Sequence, residues 1–205
     1  MSAFRLSGAS ERIGGCRSAR SPIRCTVVAV GEFELLVDGL DFGEGPRWHD
    51  GRLWYSDFYR RAIYTVTEDG RREVVHGDLP DQSSGLGWLP DGRLLVVFMH
   101  DRKVMRDDGD GRLVEHADLS HIATFHCNDM VVDQRGHAYV GNFGSNLWAK
   151  EPFVPADLAL VHPDGRVEVA ASGLVFPNGS VVTPDGRTLI VGESGGRDYV
   201  AFTIG

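Results

Sequence analysis

The chain has 205 residues, 42% of them hydrophobic and 24% charged, which is enough apolar material for one soluble globular domain of ordinary size. The formal charge of −8 is unevenly placed: five arginines against Glu11 make residues 1–30 net +4 and leave −12 on the remainder. An acidic body argues against a nucleic-acid partner and suits a cation or a neutral ligand, and no apolar run reaches the roughly 20 residues of a membrane-spanning helix.

Residues 1–30 are rich in Ser, Arg and Gly, show no periodicity, and end in the short run TVVAV. They lack the apolar core and cleavage site of a secretory signal. A transit peptide is open on composition; a disordered tail or a spurious N-terminal extension is the preferred expectation. Cys16 and Cys25 lie in this segment and Cys127 far from it, with neither a disulfide framework nor metal-type spacing. That usage points to a reducing compartment, and the expected location is cytoplasmic.

From residue 31 onward the chain repeats itself. Four segments share one pattern, an apolar stretch, a turn ending in Gly, and a second apolar stretch: GPRWHDGRLWYSD, GLGWLPDGRLLVVF, NDMVVDQRGHAYVGN and NGSVVTPDGRTLIVG. Their turn glycines are Gly51, Gly92, Gly136 and Gly186, spaced 41, 44 and 50 residues apart. Further turns at Asp69-Gly70 and Asp164-Gly165 separate additional strand-like runs. A period in the forties with about four strands per unit predicts an all-β fold, a β-propeller, over residues 31–205. Helical repeats are excluded, because no segment holds apolar residues at helical spacing for three turns. A β-sandwich with irregular strands is the alternative.

In a propeller blade the first strand lines the channel and the second returns to the same face. The stretches around Glu44, Gly85, Asn128 and Asn178 therefore meet at one channel mouth. Asn178-Gly179 resembles a turn dipeptide, but it holds the repeat position of Glu44-Gly45 and Asn128-Asp129, whereas Asp185-Gly186 holds that of the hairpin turns. Oxygen ligands converging from different blades, without sulfur, describe a site for a hard divalent cation. The loops after the second strands rim the mouth: two are short, near Tyr59 and His100, and one is long, SNLWAKEPFVPAD over residues 145–157, with aromatics suited to covering a ligand. Histidines 49, 100, 116 and 162 read as surface residues near turns, and only His126 lies near the mouth. Cys127, alternating with His126 and Asn128, reads as a buried small hydrophobe. No HExxH or phosphate-binding loop is present.

The combination GEGPRWHDGRLWYSD, FHCNDMVVDQRGHAYVGNFG and FPNGSVVTPDGRTLIVGES, in this order and spacing, resembles the SMP-30/gluconolactonase/regucalcin family. The resemblance implies a six-bladed propeller with one divalent cation (Ca, Mg, Mn or Zn) at the channel mouth. It further implies hydrolysis of a small lactone-type substrate, with a non-enzymatic cation-binding or small-ligand-binding propeller as the alternative. Glu44 and Asn178 are similar to the family's metal ligands, and Asn128 to the asparagine that meets substrate and a metal-bound water. His126 stands where an arginine often contacts substrate, and Asn146 and Asn142 lie near the place of a usual acidic residue. The family's third ligand, an aspartate that also accepts the proton, falls beyond Gly205 at this spacing, so no catalytic residue is assigned in the chain. Four blades are visible, the fourth stopping at its third strand. An inactive truncated fragment, or a ring completed by a second chain or segment, is therefore also expected from the sequence.

Overall fold

The computed structural model describes residues 11–13, as backbone, and 34–205. All of its regular structure is β, in four antiparallel four-stranded sheets. β1 (Glu11–Ile13) precedes the first blade, which is β2 (Gly43–His49), β3 (Arg52–Asp57), β4 (Ala62–Val66) and β5 (Arg72–His76). The second is β6 (Ser83–Trp88), β7 (Leu94–Phe98), β8 (Lys103–Asp107) and β9 (Leu113–Asp118). The third is β10 (Cys127–Val132), β11 (Ala138–Asn142), β12 (Ala156–Val161) and β13 (Val167–Leu174). The fourth holds β14 (Pro177–Val182), β15 (Thr188–Glu193) and β16 (Asp198–Thr203), with β1 paired to β16 as its outermost strand. Glu11–Ile13 thus enters a sheet, although it belongs to the stretch expected as disordered or spurious. The rest of residues 1–30 lies outside the described residues.

The turn chemistry follows the repeat. Gly51, Gly92, Gly136 and Gly186 all have positive φ, the backbone state that glycine reaches without steric cost. At Asp91, Asp164 and Asp185 a carboxylate oxygen accepts the amide N–H two residues on, at 3.1–3.2 Å, an Asx-type closure of the hairpin. Gly179 has no positive φ and lies inside β14, so Asp185-Gly186 is the turn of that hairpin.

Apolar residues from facing blades form the core between them. Ile63 of the first blade packs with Leu86, Val96 and Phe98 of the second. Leu95, Val97 and Val104 meet Met130, Val140 and Val161 between the second and third. Tyr139, Leu158 and Leu160 meet Leu189, Val191 and Val200 between the third and fourth. Each fully buried aliphatic side chain of this kind contributes about 1.5–3 kcal/mol by transfer from water. The inner strands β2, β6, β10 and β14 neighbour one another in that order, with no comparable packing of β14 on β2. Among the described residues the blades form an arc around a shared channel.

Candidate functional site at the channel mouth

Every inner strand breaks register at the same place. The bulges fall between Glu44 and Arg47, Ser83 and Leu86, Cys127 and Met130, and Pro177 and Ser180. A bulge bends its strand and re-aims the side chain next to it. The residues so placed are Glu44, Ser84, Asn128 and Asn178, one per blade. Glycine accompanies three of the four breaks, and two are required by close approach. A Cβ on Gly45 would sit 2.8 Å from the Ser84 carbonyl oxygen, and one on Gly85 2.4 Å from the Met130 nitrogen.

Three of the four positions, Ser84, Asn128 and Asn178, are linked through hydrogen bonds. Ser56 Oγ donates to the Ser84 carbonyl at 2.7 Å, and Ser84 Oγ donates to Asn128 Oδ1 at 3.3 Å. Asn128 Nδ2 donates to Asn178 Oδ1, and Asn178 Nδ2 donates to Ser194 Oγ at 3.0 Å. Asn128 is buried, and Asn178 lies on the open side beside Gly179 and Ser194. The structure therefore brings Asn128 and Asn178, fifty residues apart in sequence, into direct contact.

Glu44 contributes the negative charge. Burial raises its carboxyl above the ordinary carboxylate range, the nearby Asp129 carboxylate raises it further, and the Gly45 N–H partly offsets both. Asp129 is itself held by Arg47, whose Nη2 donates to Asp129 Oδ1 at 2.9 Å and to the Met130 carbonyl. A carboxylate raised by desolvation and by a second carboxylate is one that a cation would stabilise. Among the described residues no three His, Cys, Asp or Glu side chains gather as metal ligands. The donors available here are oxygens only, from Glu44 and Asn178, and they fit a hard divalent cation.

His126 and Asn146 do not join this ring of polar groups. Together with Tyr59, Gln82, His100, Phe125 and Trp148 they line an adjoining cavity of about 500 Å³. Two short chain links connect it to the ring, Gln82 to Ser84 and His126 to Asn128. The rim loops build its walls as the repeat phase predicts. Trp148, from the long third loop, lies 5.4 Å from His126 between ring centroids, and Phe125 stacks on His126 at 4.0 Å. Phe153, from the same loop, stacks instead on Phe176 at 6.2 Å. Burial drives His126 down to about 4, with the neighbouring His100 the next cause, so His126 is neutral at pH 7. The arginine it replaces in the family pattern would be a fixed cation; this residue is not.

Asn142, the last residue of β11, braces the two ends of the loop. Its Nδ2 donates to the Asp157 carbonyl at 2.8 Å and its Oδ1 accepts from Gly144 N at 3.0 Å, which uses both ends of the amide. Cys127 is buried in the core between the second and third blades, and desolvation pushes its thiol up to about 12. Two cavity features escaped the sequence reading, Gln82 and the role of His100, as did Ser84 of the ring. His100 is exposed as expected, yet it is paired with a buried carboxylate. His162 departs from its expectation as a surface residue, being buried against Glu168.

The family model for the SMP-30/Gluconolactonase/LRE-like region matches residues 42–204. The chain belongs to that family. No curated protein matches the sequence closely enough to serve as a relative. Among solved structures, a gluconolactonase from Xanthomonas campestris aligns with a TM-score of 0.70 at 24% identity, over 82% of this chain and 60% of its own. A calcium-binding protein, regucalcin, from Agrobacterium tumefaciens gives 0.66 at 23%, over 81% and 55%. A luciferin-regenerating enzyme gives 0.65 at 19%, over 80% and 56%. At these identities the likeness establishes the fold: the four blades of this SMP-30/gluconolactonase-like chain are those of a propeller of the six-bladed gluconolactonase type. The chain spans 60% or less of the length of these structures.

Proposed function

We propose that the chain carries the cation-holding and substrate-contacting residues of a divalent-metal-dependent hydrolase of sugar lactones or related small cyclic esters. The observation that carries this reading is the raised carboxyl of Glu44 at a channel mouth where Asn128 and Asn178, from two other blades, are hydrogen-bonded together. Glu44 and the amide oxygen of Asn178 would hold the ion. When bound, such an ion supplies Lewis-acid polarisation of a carbonyl and lowers the pKa of water. Asn128, fixed by Ser84 on one side, presents its amide beside the site and orients a polar substrate group or water. His126 and Asn146 border the adjoining cavity, where a small ring can rest against Phe125 and Trp148. Membership of the family supports hydrolysis at the level of the class; the metal and the reaction are the proposal.

The test is pH-stat hydrolysis of δ-gluconolactone before and after chelation, followed by separate additions of Ca²⁺, Mg²⁺, Mn²⁺ and Zn²⁺. Activity that disappears on chelation and returns with one cation supports the reading. Activity indifferent to chelation overturns it. The regucalcin likeness favours one other reading, a calcium or small-ligand binder without turnover. Saturable binding by calorimetry with no turnover on any lactone decides for that alternative.

A further inference from the structure

The cavity beside the channel mouth contains an acid–base pair that the polar ring does not use. Asp81, only 5% exposed, lies just before β6 and accepts His100 Nδ1 at 2.6 Å. The same carboxylate accepts the Gln82 N–H at 2.7 Å and the Asp101 N–H at 2.9 Å, which fixes its orientation. An ionised carboxylate has no proton to give, so the proton of a neutral His100 sits on Nδ1 and its lone pair on Nε2. The His100 side chain is 44% exposed and lines the cavity. His126 meets it edge-on, with centroids 4.3 Å apart and planes at 90°. Of these two imidazoles, only His100 is backed by a carboxylate. The remaining walls are aromatic at Tyr59, Phe125 and Trp148 and carry amides at Gln82 and Asn146.

We propose that His100, oriented by Asp81, is the proton acceptor for the attacking water in this cavity. This rests on the lactone-hydrolase reading above. In the first step Nε2 takes one proton from water, and the electron pair of that O–H bond forms the new bond to the lactone carbonyl carbon. The carbonyl π pair moves onto its oxygen. When that pair returns, the ring C–O bond breaks and the departing ring oxygen takes the proton from Nε2. Lactone and water become the hydroxy acid, and His100 is neutral again. Asp81 holds the Nδ1 proton throughout and stabilises the transient imidazolium.

The test compares the 205-residue chain with His100→Ala, His100→Gln and Asp81→Asn on δ-gluconolactone and on a neutral alkyl γ-lactone. His100→Ala is expected to lower kcat by about 10²-fold or more while KM moves less than about threefold, as loss of a general base does. Because the side chain is half exposed, its melting temperature should stay within about 2 °C of the parent. Added imidazole should restore part of the His100→Ala activity and leave the His100→Gln protein, whose cavity is filled, unrescued. Asp81→Asn should lower kcat less than His100→Ala does. A His100→Ala protein with kcat within threefold of the parent, or one insensitive to imidazole, overturns the base assignment and leaves the hydrolase reading standing. A parent chain that hydrolyses neither lactone overturns both.

Discussion

Gly85→Ala tests the stacking of the blades directly. A Cβ at this position would lie 2.4 Å from Met130 N, 2.7 Å from Met130 Cβ and 2.9 Å from Asp129 C, against 3.4–4 Å for ordinary contact. These are backbone and Cβ atoms of β10, so no rotamer change relieves the overlap. The two inner strands must part by about 1 Å, which opens the core shared by the second and third blades. Overpacking of this kind costs about 1–3 kcal/mol, and a clash against backbone belongs at the upper end. For a chain of this size each kcal/mol lowers the melting temperature by about 2–4 °C, so a fall of about 6–12 °C is expected. Gly179→Ala is the matched control. It holds the same repeat position, has nothing within 4 Å of its Cβ and has no positive φ. That variant should be neutral or up to about 1 kcal/mol more stable, through the smaller entropy of its unfolded chain. Thermal and urea unfolding followed by circular dichroism measure both. Midpoints within about 2 °C of each other would refute the close approach of β6 and β10.

Glu44→Gln should stabilise the chain in the absence of divalent cations. A carboxyl raised in the folded state favours folding while protonated and loses that contribution as pH rises through its folded value, so the variant's advantage appears above the ordinary carboxylate range and vanishes below it. Urea titrations at acid and alkaline pH measure it, and the same variant should lose the gain of about 2.7 kcal/mol that a cation at a hundredfold its Kd confers on the parent. His126, depressed to about 4, favours the folded state above the ordinary imidazole value of about 6.5, and that contribution is lost as pH falls towards 4. Its imidazole proton resonance should show no titration between pH 7 and 5, and a midpoint near 6.5 would contradict the buried cavity wall. Cys127 should ignore a disulfide reagent in the native protein and react only as fast as the chain opens, since burial holds the thiol at about 12; prompt labelling in buffer would place it outside the core.

The repeat was legible because it is local. A strand, an Asp-Gly turn and a returning strand are written in adjacent residues, and the same phase that identified Gly186 as a turn identified Asn178 as a mouth residue. Blade number and order followed from spacing alone. The outermost strand of the fourth blade did not, because Glu11–Ile13 pairs with residues nearly 190 positions away and carries no alternation of its own. The pairing of Asp81 with His100 was hidden for a related reason. The two side chains meet across the gap between one blade's entry and its second strand, and a histidine beside a turn reads as exposed whether or not a carboxylate waits behind it.

The site residues are legible for a different physical reason, which also limits how much of the site a sequence can display. A strand that lines a crowded channel favours small or apolar side chains, and regular pleating would turn alternate residues away from the mouth. The register breaks at Glu44, Ser84, Asn128 and Asn178 suspend that alternation, and their glycines and prolines mark the break in the sequence. Polar residues beside Gly at a fixed repeat phase are therefore readable as a ring. What the ring does depends on contacts between blades: Ser84 on Asn128, Asn128 on Asn178, Asp129 beside Glu44 and Arg47 across to Asp129. None of these has a sequence signature, since each joins residues forty or more positions apart. Two features of the mouth, the raised Glu44 carboxyl and the neutral His126, arise only once the blades pack.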